Sequence, residues 1–357
     1  MKLSDIVDRI NGNVDRFTTD LEYYIGGEHI DSNELEITRG GNLKENLGKL
    51  GFKFHFAFQD RDVIFMARNP HLRKAGMVMF SGLCSDASYI LRSKDENVIT
   101  QEFLAVQLQS DHFWDYCERT KVGSVNFANN WTSIANYEFD LPSIDKQKEI
   151  AKKVWAAYNL KKSYRKLLSA TQEMVKSQFI EMFGGESNKV TLDEIVVVKD
   201  DCRRPINEGV RSEMKDGELY PYYGATGVVD YINDYLIDEE LLCIAEDCGN
   251  YNAGEESAYI IRGKAWVNNH AHLVKTKESC DVKYLYYFLK IADLKPYVSG
   301  TTRLKLTQKK LKEISVTLPS IDKQKTFVKI AEQADKSEFE LRKSIEAIDQ
   351  VIKSLIN

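Results

Sequence analysis

Lys305–Lys325 reads KLTQKKLKEISVTLPSIDKQK, and Asn129–Lys148 reads NNWTSIANYEFDLPSIDKQK. Both end on LPSIDKQK, which starts at Leu141 and again at Leu318, 177 positions later. An octapeptide repeated at that separation marks an internal duplication. The alignment runs upstream without gaps, placing Gly123-Ser124 on Gly300-Thr301 and Ile134 on Leu311. Further back, EFLAVQL (Glu102–Leu108) resembles KYLYYFL (Lys283–Leu289) at an offset of 181, which implies a four-residue insertion. Before that the halves diverge. Each half therefore consists of a variable globular part, a shared junction and a long segment after it.

Those long segments predict helices. Ser320 suits an N-cap, and Asp322 puts an anion in the first turn, where the helix dipole favours it. Phe327, Ala331, Ala334, Leu341, Ile345, Ile348, Ile352 and Leu355 then follow alternating three- and four-residue steps, with Glu338 the one polar member. That is an a/d heptad seam. The matching positions of the first copy are Ile150, Val154, Ala157, Lys161, Tyr164, Leu168, Thr171, Val175 and Gln178, a weaker and partly polar seam. Gly184-Gly185 ends it, as a C-cap glycine does. About 38 residues at ~1.5 Å each make a rod of roughly 55–60 Å. A single seam cannot bury itself, so the two helices are expected to pair antiparallel.

The 357 residues, 43% hydrophobic and 29% charged, suit two or three domains with ample core. No apolar run reaches a membrane span, and MKLSDIVDRINGN at the start lacks a signal core, so a cytoplasmic protein is expected. The six cysteines form no paired CxxC motifs and read as reduced thiols, mostly in the core. A net charge of −5 argues weakly against nucleic acid, but its distribution matters more. Lys295, Arg303, Lys305, Lys309, Lys310 and Lys312 lie in one acid-free stretch; Arg68, Arg73 and Lys74 lie in another.

The globular parts read as mixed α/β. Strands are expected at 62–68, 77–80 and 87–92 in the first, and at 241–247, 257–262 and 265–274 in the second. A short helix follows each set, at 101–119 and 282–294. Glycine turns such as GATG (Gly224–Gly227) and GGEH (Gly26–His29) separate the runs.

In order along the chain stand YIGGEHI (Tyr24–Ile30), NPHLRKAGMVMFSGLCSD (Asn69–Asp86), FWDYCERTKVGSVN (Phe113–Asn126), LPSIDKQK, YPYYGATGVVDYI (Tyr220–Ile232), WVNNHAHLV (Trp266–Val274), SGTTRLKLTQKKL (Ser299–Leu311) and LPSIDKQK again. This series resembles the specificity subunits of type I restriction-modification systems over nearly the whole chain. The resemblance implies an α/β (α+β) fold with two target-recognition domains, 1–140 and 186–318. Two conserved spacer helices, 141–185 and 319–357, would join them as an antiparallel coiled coil. It further implies that each domain reads half of a bipartite double-stranded DNA site. Two modification subunits that use S-adenosylmethionine, and two restriction motor-nuclease subunits, would be the partners. The subunit itself would have no catalytic site and no cofactor. Many members carry further conserved sequence outside the first domain or the second helix; a compact variant is the expectation here, with a truncated chain or one that works with a partner half-subunit as the alternatives.

Candidate DNA contacts follow from residue chemistry. Gly300, Thr301, Thr302, Arg303 and Lys305 combine close backbone approach, hydroxyl donors and charge for phosphates. Gly123, Ser124 and Asn126 occupy the same place in the first half, with Lys121 supplying a cation. Arg68, Asn69, His71, Arg73 and Lys74 sit on an expected loop. Tyr223 and Thr226 flank a glycine turn, and Asn268 or Asn269 could pair with adenine. Each group has a structural alternative: solvated charge, a packed turn, or sheet-edge hydrogen bonding. His270 and His272 lack a third metal ligand. There is no P-loop, no Asn/Asp-Pro-Pro-aromatic box and no HExxH motif. A stand-alone DNA-modifying or DNA-cleaving enzyme, with Glu246-Asp247 as acids, is the enzyme-class alternative; a DNA mimic rests only on the net charge.

Overall fold

A computed structural model of the chain describes residues 1–247, 251–301 and 304–357. It divides into two compact units, 1–166 with 341–357, and 167–340. The division falls inside both long helices, Ile144–Phe183 and Ile321–Ile356, so each unit holds one half of each.

The first unit holds nine strands: β1 (Val7–Ile10), β2 (Tyr23–Ile25), β3 (Glu36–Ile37), β4 (Gly41–Asn42), β5 (Phe54–Phe58), β6 (Val63–Met66), β7 (Ala75–Val78), β8 (Gly82–Ser85) and β9 (Ser88–Ser93). They form two sheets, ordered β1-β9-β6-β7-β3 and β4-β2-β8-β5. In the second sheet β2 and β8 run parallel. Between the sheets lies an apolar layer built from Ile25, Ile37, Phe58, Ile64, Val78 and Ile90. The other face of the first sheet packs on Phe103, Leu104, Phe113 and Trp114, which lie on the buried faces of short helices.

The second unit holds β10 (Lys189–Thr191), β11 (Val196–Val198), β12 (Tyr220–Tyr223), β13 (Val228–Ile232), β14 (Ile237–Asp238), β15 (Leu241–Ala245), β16 (Ala258–Ile261), β17 (Lys264–Val267), β18 (Ala271–Thr276) and β19 (Ser315–Thr317). Its main sheets are ordered β11-β18-β15-β16 and β13-β12-β17-β14, with β12 and β17 parallel, and β10 pairs with β19. Strand for strand the two main sheets repeat those of the first unit, β3 apart, while the β10–β19 pair is reduced there to the single bridge Lys2–Glu138. The halves that diverge in sequence therefore share one fold. Even the entry to each unit is repeated: Leu3–Ile6 and Leu192–Ile195 are single helical turns leading into β1 and β11, with Leu3 and Leu192 fully buried.

Two expected elements are each broken in two. The helix expected at 101–119 is two helices, Gln101–Gln107 and Asp111–Thr120, because the Ser110 hydroxyl accepts the Phe113 N–H and starts a new helix. The strand expected at 265–274 is β17 and β18, which belong to different sheets, so Asn268–His270 form the corner between them.

Within each unit the long helices pair in opposite directions. In the first, Val154 and Tyr158 pack with Ile352, Leu355 and Ile356, and the buried Lys161 reaches Asp349 at 2.5 Å. In the second, Phe179 and Phe183 pack on Phe327, and Gln172 bonds Glu338 at 3.1 Å. As numbers rise on one helix they fall on the other. All nine expected positions of each seam are buried or half-buried, Lys161 and Glu338 among them.

Cys84, Cys117, Cys243 and Cys280 are buried free thiols, and burial pushes Cys84, Cys243 and Cys280 up to about 12. Such thiols are inert at neutral pH. Cys202 is free and half-buried, and Cys248 lies outside the described residues. No helix among the described residues is long and apolar enough to cross a membrane.

Candidate nucleic-acid interface

The same hairpin base is built twice, beside Gly123 and beside Gly300. Val122 and Ala128 exchange two backbone hydrogen bonds, at 2.8 and 3.0 Å, and so do Ser299 and Lys305, at 3.0 and 2.8 Å. The two bridges are 177 positions apart, in register with the repeat. Gly123 has φ +106° and Gly300 φ +104°, a region in which side chains are strained. At Gly123 a Cβ would also stand 2.6 Å from the Asn126 carbonyl oxygen. The glycines are thus required by backbone geometry.

In the first unit the tip, Gly123–Asn126, is exposed, and Val125 is 83% exposed, among the most exposed large apolar side chains of the described residues. Its base rests on the segment after β6. Asn69 N–H donates to the Phe127 carbonyl, Asn129 N–H donates to the Ala67 carbonyl, and Arg68 bridges Ala128. The fold therefore brings Arg68, Asn69, Gly123, Ser124 and Asn126 together. Lys121 stands beside them, over the Phe127 ring at 4.6 Å and paired with Glu118 at 2.6 Å. Asn69 and Arg73 adopt left-handed backbone angles on either side of the single turn Pro70–Leu72, which leaves His71 exposed. Arg73 and Lys74 point elsewhere: Arg73 pairs with Asp111 at 2.6 Å, and Lys74 donates to the Gly27 carbonyl at 2.6 Å.

In the second unit the hairpin base sits on a charged network. Lys305 pairs with Glu246 at 2.9 Å, and Glu246 also accepts from Arg203 at 2.7 Å. Arg203 reaches Asp200 at 3.1 Å. His272 is bonded through both ring nitrogens, to Asp200 at 2.7 Å and to the Leu306 carbonyl at 2.8 Å. Burial pushes the Glu246 carboxyl up, but hydrogen bonds from Arg203 and Lys305 outweigh it and hold the group below its ordinary value. Asp200 is likewise lowered: burial opposes, and bonds from His272 and the Leu273 N–H prevail. Glu246 is thus a carboxylate tied to cations, the wiring of a structural anchor. Among the described residues no group of side chains could hold a metal ion.

Asn268 is buried; its side chain accepts the His270 N–H at 2.8 Å, and its backbone N–H donates to the Tyr223 carbonyl. Asn269 is exposed, with its carbonyl 3.5 Å from Arg203. Tyr223 stacks on Tyr259 at 5.4 Å, while Thr226 is exposed in the turn beyond. Thr301 is exposed; Thr302 and Arg303 lie outside the described residues. No spacing in the sequence marks Asp200, Arg203 and His272 as supports of this hairpin, because they converge from two separate segments, the turn at 200–203 and β18.

Two same-fold units, each presenting one glycine hairpin and holding part of both long helices, define a duplicated α/β fold. A family profile described as "Type I restriction modification DNA specificity domain" matches residues 185–350. A Haemophilus influenzae protein named as a type I restriction enzyme specificity subunit is 35% identical over 147 residues, 41% of this chain and 37% of that protein. A Methanocaldococcus jannaschii protein named in the same way is 22% identical over 92% of this chain and 84% of its own length. The crystal structure of a type I restriction-modification S subunit from M. genitalium covers 100% of this chain and 94% of its own at TM-score 0.62, with 14% identity, a likeness of fold. Over residues 185–350 the chain is similar to the DNA specificity domain of type I restriction-modification systems, and its fold as a whole is like that of the solved S subunit. Its alignments span little more than a third of the length of the H. influenzae relative and of an Escherichia coli relative.

Proposed function

We propose that the chain is the DNA-recognition subunit of a type I modification and restriction complex. Residues 1–140 and 186–318 act as target-recognition domains, each reading one half of a bipartite site. The helices of 141–185 and 319–357 act as spacer and docking surface for two modification subunits. Those subunits bind S-adenosylmethionine and carry the chemistry; two restriction motor-nuclease subunits complete the assembly, in the cytoplasm. The observation that carries this reading is the register of the two hairpins. A fold duplicated down to one glycine turn, yet with divergent side chains around it, suits two modules that bind the same polymer at different sequences. Arg68, Asn69, Gly123, Ser124 and Asn126 are the contacts favoured in the first domain, and Gly300, Thr301 and Lys305 with Asn269 and Thr226 in the second. His71, Lys121, Thr302 and Arg303 extend these sets. Arg73, Lys74, Tyr223 and Asn268 support the fold around them.

The test is reconstitution. The purified chain alone should neither methylate nor cleave DNA. With its modification partner and S-adenosylmethionine it should direct methylation to one bipartite sequence. Methylation or cleavage by the lone chain would instead favour an enzyme with an unrecognised active site.

A further inference from the structure

The octapeptide repeated at both junctions hides one glutamine in each copy. Gln147 and Gln324 are both 0% exposed, although each sits between two lysines in the first turns of a long helix. Gln147 donates through Nε2 to the Val98 carbonyl at 2.8 Å and to the Pro142 carbonyl at 2.9 Å, and its Oε1 accepts the Thr100 N–H at 3.2 Å. Gln324 donates to the Ser279 carbonyl at 3.0 Å and the Pro319 carbonyl at 2.8 Å, and accepts the Asp281 N–H at 2.8 Å. All three partners correspond, two at the offset of 181 and the prolines at 177. Thr100 and Asp281 are the N-caps of helices Gln101–Gln107 and Val282–Ile291 in the globular bodies. Each glutamine thus ties the start of a long helix to the start of a helix in its own unit.

The chemistry requires an amide. Two carbonyls need two N–H donors and one backbone N–H needs an acceptor, a set that only an amide side chain supplies at that length. Glutamate would set a carboxylate against two carbonyl oxygens. The neighbouring tie is not repeated: Trp155 Nε1 donates to the Glu102 carbonyl at 3.2 Å in the first unit, whereas Lys283 pairs with Glu332 in the second. Packing chemistry has changed between the halves while this bond set has not.

We infer that Gln147 and Gln324 are positioning residues that lock the direction of each spacer helix relative to its own recognition domain, and so hold the gap between half-sites to one length. The inference rests on the recognition function proposed above. If the latch is lost, the domains keep their sequence preference but the gap between half-sites is no longer held to one length.

The experiment compares wild type, Q147M, Q324M and the double variant, each assembled with the modification partner and presented with DNA carrying both half-sites at every gap from three base pairs below the native one to three above. Methionine keeps volume and removes the three bonds. Wild type should modify a single gap. The double variant should modify gaps one base pair either side within about tenfold of the native one, with half-site sequences unchanged. Hydrogen exchange at the Thr100 and Asp281 amides, about tenfold faster in the variants, reports that the latch is open in the free chain. An open latch with one gap retained at wild-type selectivity overturns the proposal. So does loss of folding in both single variants, since the glutamines would then serve stability alone. A wild-type complex that modifies no bipartite site refutes the proposed function instead, and leaves the latch to be judged by whether exchange at both amides rises in the variants.

Discussion

Phe327→Ala is the sharpest test of the paired-helix seam. Phe327 is 0% exposed on the second long helix, with ring centroids 5.4 Å from Phe179, 5.7 Å from Phe183 and about 6 Å from Tyr284 and Tyr287. A fully buried phenylalanine hides roughly 150–200 Å² of apolar surface, about 4–5 kcal/mol at ~25 cal/mol per Å². The aromatic edges add to this, while the compactness of the unfolded chain and the retained Cβ subtract. The expected loss is about 3–5 kcal/mol, in the range for Phe→Ala truncation in rigid cores. For a unit of this size that is a fall in midpoint of roughly 6–20 °C. Urea denaturation followed by hydrogen-exchange mass spectrometry separates the units. The loss should appear in peptides of 167–340 and leave 1–166 near its wild-type protection. Phe339, 65% exposed on the same helix, is the control, and its alanine variant should change stability by less than about 0.5 kcal/mol. A loss under ~1 kcal/mol for Phe327→Ala, or equal losses in both variants, would refute a packed seam.

Three further outcomes are expected. Replacing Arg303 and Lys305 together by alanine should weaken DNA binding by the assembled complex and lower the slope of log K against log salt by about two; an unchanged slope would remove that hairpin from the interface. Gly123→Ala should cost about 1–3 kcal/mol locally through its φ of +106°, whereas Gly48→Ala, with open space around it, should be neutral; thermal denaturation compares them. Glu246 and Asp200 are depressed below their ordinary values, so their contribution is complete above the unfolded carboxylate values near about 4 and is lost as pH falls through the folded ones. Hydrogen exchange at the Leu306 amide, which donates to the Glu246 carbonyl, should therefore accelerate on acidification, and less so in Glu246→Gln.

Much of the architecture was legible because it is periodic. Seam positions from Ile150 to Leu355 follow a heptad rule and are buried or half-buried, Lys161 against Asp349 among them, while Tyr158, Phe179 and Phe183 pack beside them off that rule. The glycines of the two hairpins were legible because backbone geometry leaves little choice. The common topology of the two globular parts was hidden, since a sheet tolerates any apolar residue on its inner face and so erases identity while keeping strand order. One trace survived unread: Leu3-Ser4-Asp5-Ile6-Val7 and Leu192-Asp193-Glu194-Ile195-Val196 lead into equivalent strands. The break at Ser110 was invisible to periodicity because Gln101–Arg119 keeps helical spacing across it. The supports of the second hairpin, Asp200, Arg203 and His272, depend on distances between segments that spacing does not encode. The repeated glutamine was in plain view inside LPSIDKQK, but only its burial distinguishes it from the lysines on either side.

The proposed recognition role is tested most directly by sequencing DNA modifications in cells with and without this gene. It predicts one methylated motif, made of two unlike half-sites at a fixed gap, present only when the gene is. A modification pattern that does not change, or a motif of a single undivided block, would contradict it.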